Sequence, residues 1–180
     1  TRPSTRMGSI AILRVNLLKA KKTMALLEKK KKLSEEIDPQ MELFIDILKK
    51  KYKLMVHVDK EDDVMIMLEL IKEFKLEAIA NHLGDVHNEN IFSQLRLNRV
   101  PIIYGPLDSF PYKVELKHES WRNIEKLLRS NSKFALMTDH PVLLQRNLFY
   151  GLRYLLRFGC SRAEAISKIM PLRQLLLWFN

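Results

Sequence analysis

One cysteine, Cys160, stands among 180 residues, so the chain has neither an internal disulfide framework nor a cysteine-based zinc ribbon. The lone thiol reads as a packing residue near a helix end. Five glycines supply no Gly-rich loop to cradle a phosphate, which removes the nucleotide-binding version of a doubly wound sheet. No apolar stretch approaches the roughly 20 residues a bilayer requires, and no charged, apolar, small-residue signal opens the chain. A cytoplasmic location without membrane contact is the resulting expectation. The opening Thr1-Arg2-Pro3-Ser4-Thr5-Arg6 precedes the first methionine, Met7, so either Met7 is the natural start or the chain is a fragment of something longer.

What is present favours one substantial core, with 47% hydrophobic residues. The net charge of +10 raises the question of nucleic acid. The densest basic runs are Lys19-Ala20-Lys21-Lys22, Lys29 to Lys32 and Lys49-Lys50-Lys51. They fall in the back half of helices or just beyond them, where cations complement the helix dipole. No aromatic residues interleave with them as stacking partners. A solvated basic face is the reading, and nucleic acid is not the expected partner.

Periodicity organises the chain. Ile10, Leu13, Leu17, Ala20, Met24 and Leu27 recur at spacings of three and four and predict a long amphipathic helix. Asp38 and Pro39 read as cap and first position of a second helix, with Met41, Phe44, Ile45 and Leu48 on its buried face. From there short apolar runs alternate with helical patterns. Strands are expected at about 53–58, 76–81, 100–103 and 133–138, and helices after Asp62 and Asp63, before Asn98, after Ser120, from Pro141 to Gly159, and from a Ser161/Glu164 capping box onward. Four strand–helix repeats argue for parallel strands joined by right-handed crossovers, which is half of an eight-stranded α/β barrel; an open doubly wound sheet is the alternative.

Three polar residues sit just past the apolar runs of three of these strands: His57 after Leu54-Met55-Val56, His82 after Ala78-Ile79-Ala80-Asn81, and Asp139 after Phe134-Ala135-Leu136-Met137-Thr138. Parallel strands would gather two imidazoles and a carboxylate on one rim, where such barrels keep their chemistry. Those side chains suit zinc, iron or manganese with an open position for water, and a carboxylate beside the ion could relay a proton. A lone histidine at a strand end is more often an ordinary polar residue. Recurrence at three strand ends is what raises a metal site.

The segment from Val56 to Val64, Asn81-His82, Val100-Pro101-Ile102-Ile103-Tyr104-Gly105-Pro106 and Ala135-Leu136-Met137-Thr138-Asp139-His140-Pro141-Val142 resembles the second half of a metal-dependent amidohydrolase barrel, nearest to the imidazolonepropionase-like branch. Thr5-Arg6-Met7-Gly8 and the long helix that follows resemble that branch too. The resemblance implies that residues 1–180 are the C-terminal part of such a barrel, without its first strands and β-sandwich. It implies His57 as a metal ligand, His82 as a ligand or a contact to substrate and water, and Asp139 as ligand and general base. The family hydrolyses C–N bonds of cyclic or linear amides, its divalent metal activating water.

Two departures stand out. Where this branch shows His-x-His, the second position here is Asp59, a candidate contact to substrate or to a ligand. After His82 the usual small-Thr-Glu is replaced by Leu83-Gly84-Asp85. The paired histidines of the family's first strand occur nowhere in this chain, whose five histidines contain no His-x-His.

Secondary candidates are His87 in the loop after the second strand, His140 as a residue orienting Asp139 or capping a helix, and Arg6 as a contact to a substrate carboxylate or a structural ion pair. His118 reads as a surface residue, Trp121 as core, and Trp178 as core or as part of an uncovered patch near the end. Four βα units leave exposed sheet edges and an uncovered face, so self-association or a missing N-terminal half is expected. The isolated chain is expected to lack appreciable hydrolase activity. The competing expectation is a non-enzymatic assembly or binding module with a basic surface.

Overall fold

A computed structural model of the chain describes residues 3–29, 37–109 and 113–169. It resolves into two compact units, Thr1–Leu54 with Glu69–Glu77, and Met55–Leu68 with Ala78–Asn180.

In the first unit, α1 (Arg6–Glu28) begins where the Thr5 hydroxyl accepts the Gly8 N–H at 3.1 Å. The Asp38 carboxylate accepts the Gln40 N–H at 3.3 Å and Pro39 takes the first turn of α2 (Pro39–Leu48), as a helix start prefers. Leu17 and Ile47 pack with Leu70, Phe74 and Leu76 from the C-terminal half and end of α3 (Glu61–Phe74). Ile47 belongs to this core although the expected apolar face of α2 did not include it, and Leu13, expected on the stripe of α1, is 37% exposed.

The second unit is built on four parallel strands in the order β1 (Leu54–Val58), β2 (Ala78–His82), β3 (Ile102–Tyr104) and β4 (Phe134–Leu136). Helices alternate with them: α3 after β1, α4 (Glu89–Leu97) after β2, α5 (Asn123–Arg129) after β3, then α6 (Leu148–Arg157) and α7 (Arg162–Ser167). This is the expected α/β repeat. β4 and almost all of β2 and β3 are buried, as apolar strands of a covered parallel sheet are, whereas β1 leaves Met55 62% exposed. Phe92 and Leu95 of α4, Ile124 and Leu127 of α5, and Leu155 of α6 are fully buried. Past the sheet's other edge, the Leu136 N–H of β4 donates to the Lys168 carbonyl at 2.8 Å.

The register sets the site. His82 pairs with Tyr104 and Tyr104 with Leu136, so the carboxyl ends of β2, β3 and β4 stand level. The capping box is present, with Glu164 N–H on the Ser161 hydroxyl and the Glu164 carboxylate on the Ser161 N–H, and Gly159 at φ +91° closes α6.

Two helix starts differ from expectation. Ser120 caps a turn, accepting the Arg122 N–H, and α5 begins at Asn123 without a side-chain cap. Pro141 follows a cis peptide bond in a turn, and α6 begins at Leu148 after a 3-10 turn at Gln145–Asn147. Trp121 lies before α5 and is not core: it is half-buried, stacked on Tyr154 with ring centres 5.2 Å apart and flanked by the guanidinium groups of Arg122 and Arg157. Trp178 lies outside the described residues.

Candidate functional site

Each of the three strand-end residues leaves its strand differently. His57 is still in β1 and 60% of its side chain is exposed, with Asp59 buried just beyond the strand end. His82 ends β2 at φ 74° and is followed by Leu83 at φ 61°, so the chain turns through the left-handed region as soon as the strand stops. Asp139 sits three residues past β4, exposed, at φ 50°. Left-handed conformations at non-glycine residues store backbone strain and gather where side chains must be aimed.

The structure brings His57, His82 and Asp139 to one cavity of about 30 Å³, together with Asp59, Gly105 and Glu119. That volume admits a water molecule. The rings of His57 and His82 are 4.0 Å apart between centres, tilted by 47°. Asp59 holds the first of them: its Oδ2 is 3.4 Å from His57 Nε2 while its Oδ1 accepts the Gly84 N–H at 3.2 Å. His82 Nδ1 lies 3.2 Å from the Gly105 carbonyl. A carbonyl only accepts, so Nδ1 carries the proton and Nε2 keeps its lone pair. Burial, and then the neighbouring His57, lower the pKa of His82 below its ordinary value against the opposing pull of Asp59 and Asp139. A neutral imidazole with a free Nε2 is the outcome.

Glu119 is a cavity residue that the sequence did not single out, as are Ser109 and Lys113, which line the cavity with it. It lies in the long aperiodic segment before α5, and an acidic residue beside an expected helix start reads as nothing more than a terminal charge. The Ser109 hydroxyl donates to its Oε1, and its Oε2 is buried without a hydrogen-bond partner. Burial raises its pKa, the Ser109 bond opposes this, and Asp59 and Asp85 add to the rise. A carboxyl whose folded pKa is raised penalises folding once ionised, and the penalty fades as pH falls through the folded value towards the unfolded one. Glu119→Gln removes the charge but leaves one buried polar atom unpartnered, so it should stabilise the chain at pH 7 by up to about 1 kcal/mol, through the ionisation cost alone. Urea unfolding at pH 7 and pH 5 checks this. The gain should shrink at the lower pH, and an equal gain at both would rule out ionisation as the cause.

The remaining candidates lie elsewhere. His140 is exposed and does not line the cavity, and no helix begins beside it for it to cap. Arg6 opens α1 in the first unit. His87 does not line the cavity either; its ring lies 4.5 Å from that of His118, which is exposed as expected but is also a partner of Asp85.

Imidazole and carboxylate are the right donor chemistry for a divalent metal, and the bond from His82 Nδ1 to a carbonyl is the kind of outer contact that orients a ligand. The placement is incomplete. Among the described residues, no three His, Cys, Asp or Glu side chains are positioned to hold one ion. The cavity does not fit a self-sufficient metal site.

Parallel βα units with polar residues gathered at the carboxyl ends of their strands define a segment of an α/β barrel-type fold. The solved amidohydrolase from Thermotoga maritima superposes on 93% of this chain with a TM-score of 0.82 and 29% identity, and the match covers 44% of that protein. An adenine deaminase from Wolinella succinogenes is 27% identical over 99 residues, 55% of this chain and 30% of that enzyme. No family model matches the chain. The chain thus resembles amidohydrolases in both sequence and fold, and it spans less than half the length of either relative. Among the described residues, no helix is long and apolar enough to cross a membrane.

Proposed function

We propose that this chain is the C-terminal portion of an amidohydrolase barrel, of the imidazolonepropionase-like branch, that hydrolyses C–N bonds of cyclic or linear amides in the cytoplasm. The observation that supports this best is the convergence of His57, His82 and Asp139, from three separate strand ends, on one cavity. Asp139, exposed and acceptor-only, takes a proton from the attacking water and returns it to the leaving nitrogen. His82, neutral and fixed through Nδ1 on Gly105, offers Nε2 to water or substrate. Asp59 holds His57 in place. In the complete barrel, His57, His82 and Asp139 would contribute to holding a divalent metal, zinc first with iron or manganese as alternatives, which would supply an activated water there.

The chain by itself has an incomplete set and lacks appreciable hydrolase activity. The missing ligands come from the rest of the barrel or a companion polypeptide; a second copy could cover the sheet edges at β1 and β4. Two measurements test this together. Light scattering of the purified chain should show a dimer or larger species, and a cyclic-imide hydrolysis assay should show no turnover above buffer. A monodisperse monomer that turns over the imide in an Asp139-dependent way would overturn the reading.

A further inference from the structure

We propose that His87 and His118 form a second cation site, separate from the rim cavity, that takes one borderline divalent ion such as zinc, nickel or copper(II) through their Nε2 atoms. The ring centres are 4.5 Å apart and the planes are inclined by 40°. With metal–nitrogen bonds of about 2.0–2.1 Å, two imidazoles meeting at one ion at a right angle or slightly more place their centres roughly 4.5–5 Å apart. The pair already has that spacing.

Their neutral tautomers are also set. His87 Nδ1 is 2.9 Å from the Asp85 carbonyl oxygen and 3.3 Å from Glu61 Oε1, and His118 Nδ1 is 3.3 Å from Asp85 Oδ2. A carbonyl accepts and a carboxylate accepts, so in the neutral rings both protons lie on Nδ1 and both Nε2 atoms carry lone pairs. Oxygen acceptors behind the distal nitrogen are what orient histidines that ligate metals.

The scaffold is built to hold the two rings. The Asp85 side chain is 3% exposed and also accepts the His118 backbone N–H. Glu61 accepts the backbone N–H groups of His87 and Asn88 at 3.0 and 2.8 Å, and Asn123 Nδ2 donates to the His118 carbonyl at 2.9 Å. The two histidine side chains remain 47% and 45% exposed, which leaves room for water to complete the coordination shell. Two protein nitrogens with water is the site meant, since among the described residues no three His, Cys, Asp or Glu side chains are placed to hold one ion. A bound ion would pin the loop after β2 to the segment preceding α5.

The test is a titration of the purified chain with zinc by calorimetry, and with copper(II) by electron paramagnetic resonance. One ion per chain at micromolar affinity is expected, with hyperfine structure from two imidazole nitrogens. His87→Ala and His118→Ala should each weaken binding at least tenfold, and Asp85→Asn by about 10–100-fold. His57→Ala with Asp139→Asn should leave this binding unchanged, which separates it from any ion at the rim. Both histidines are half-exposed, so their variants should melt like the parent by circular dichroism. Binding that survives the double His87/His118 variant, or that disappears with His57→Ala, would overturn the proposal.

Discussion

Alanine at position 105 should destabilise the chain by about 3–5 kcal/mol, a large part of the roughly 5–15 kcal/mol that holds a domain folded. Gly105 follows β3 at φ +131°, a conformation essentially reserved for glycine, and a Cβ there would clash with the Met137 carbonyl oxygen. Both the strained dihedral and the obstacle are backbone, so neither can relax by turning a side chain. The consequence reaches the site. The Gly105 carbonyl accepts from His82 Nδ1 and the Gly105 N–H donates to the His82 carbonyl at 3.3 Å, so any displacement releases the imidazole. Chemical denaturation gives the stability loss, and the imidazole resonances of His82 report the second effect. Gly159→Ala is the control: φ is +91° but nothing lies within 4 Å, so about 1 kcal/mol is expected. Equal losses at the two positions would refute the clash with Met137.

In an enzyme that contains this segment, Asp139→Asn should lower turnover by about 10²–10⁴-fold, the usual contribution of a positioned general base. The fold should be retained, because the side chain is exposed and the turn around it is held by backbone bonds, Val142 N–H to the Asp139 carbonyl and Leu143 N–H to the Thr138 carbonyl. Steady-state kinetics with circular dichroism as the control checks both halves. Unchanged turnover would remove Asp139 from the base role. A rise in KM alone, with kcat unchanged, would make it a substrate contact instead.

Much of the architecture is legible locally. The Asp38-Pro39 start, the Ser161/Glu164 box and the Gly159 stop depend on groups within a few residues of one another, so residue type and spacing suffice to read them. The apolar runs of the four strands are legible for the same reason. The helix starts at Ser120 and Pro141 were misplaced because both residues serve turns as readily as helices, and the path of the chain after β3 and β4 decides which.

The candidate site divides in the same way. Strand-end placement of His57, His82 and Asp139 follows from the βα rhythm of the sequence, because parallel strands of one sheet must all finish on one side. Their approach to one cavity, the carbonyl that sets the proton on His82, and the half-buried carboxyl of Glu119 come from separate segments of the chain and are decided by packing. So is the pairing of His87 with His118, which no periodicity connects. The sequence by itself determined the order of strands and helices and which residues end them, since those choices rest on local hydrogen bonds and on apolar spacing. Only the tertiary structure decided which of the five histidines meet, because proximity across loops is set by register and burial.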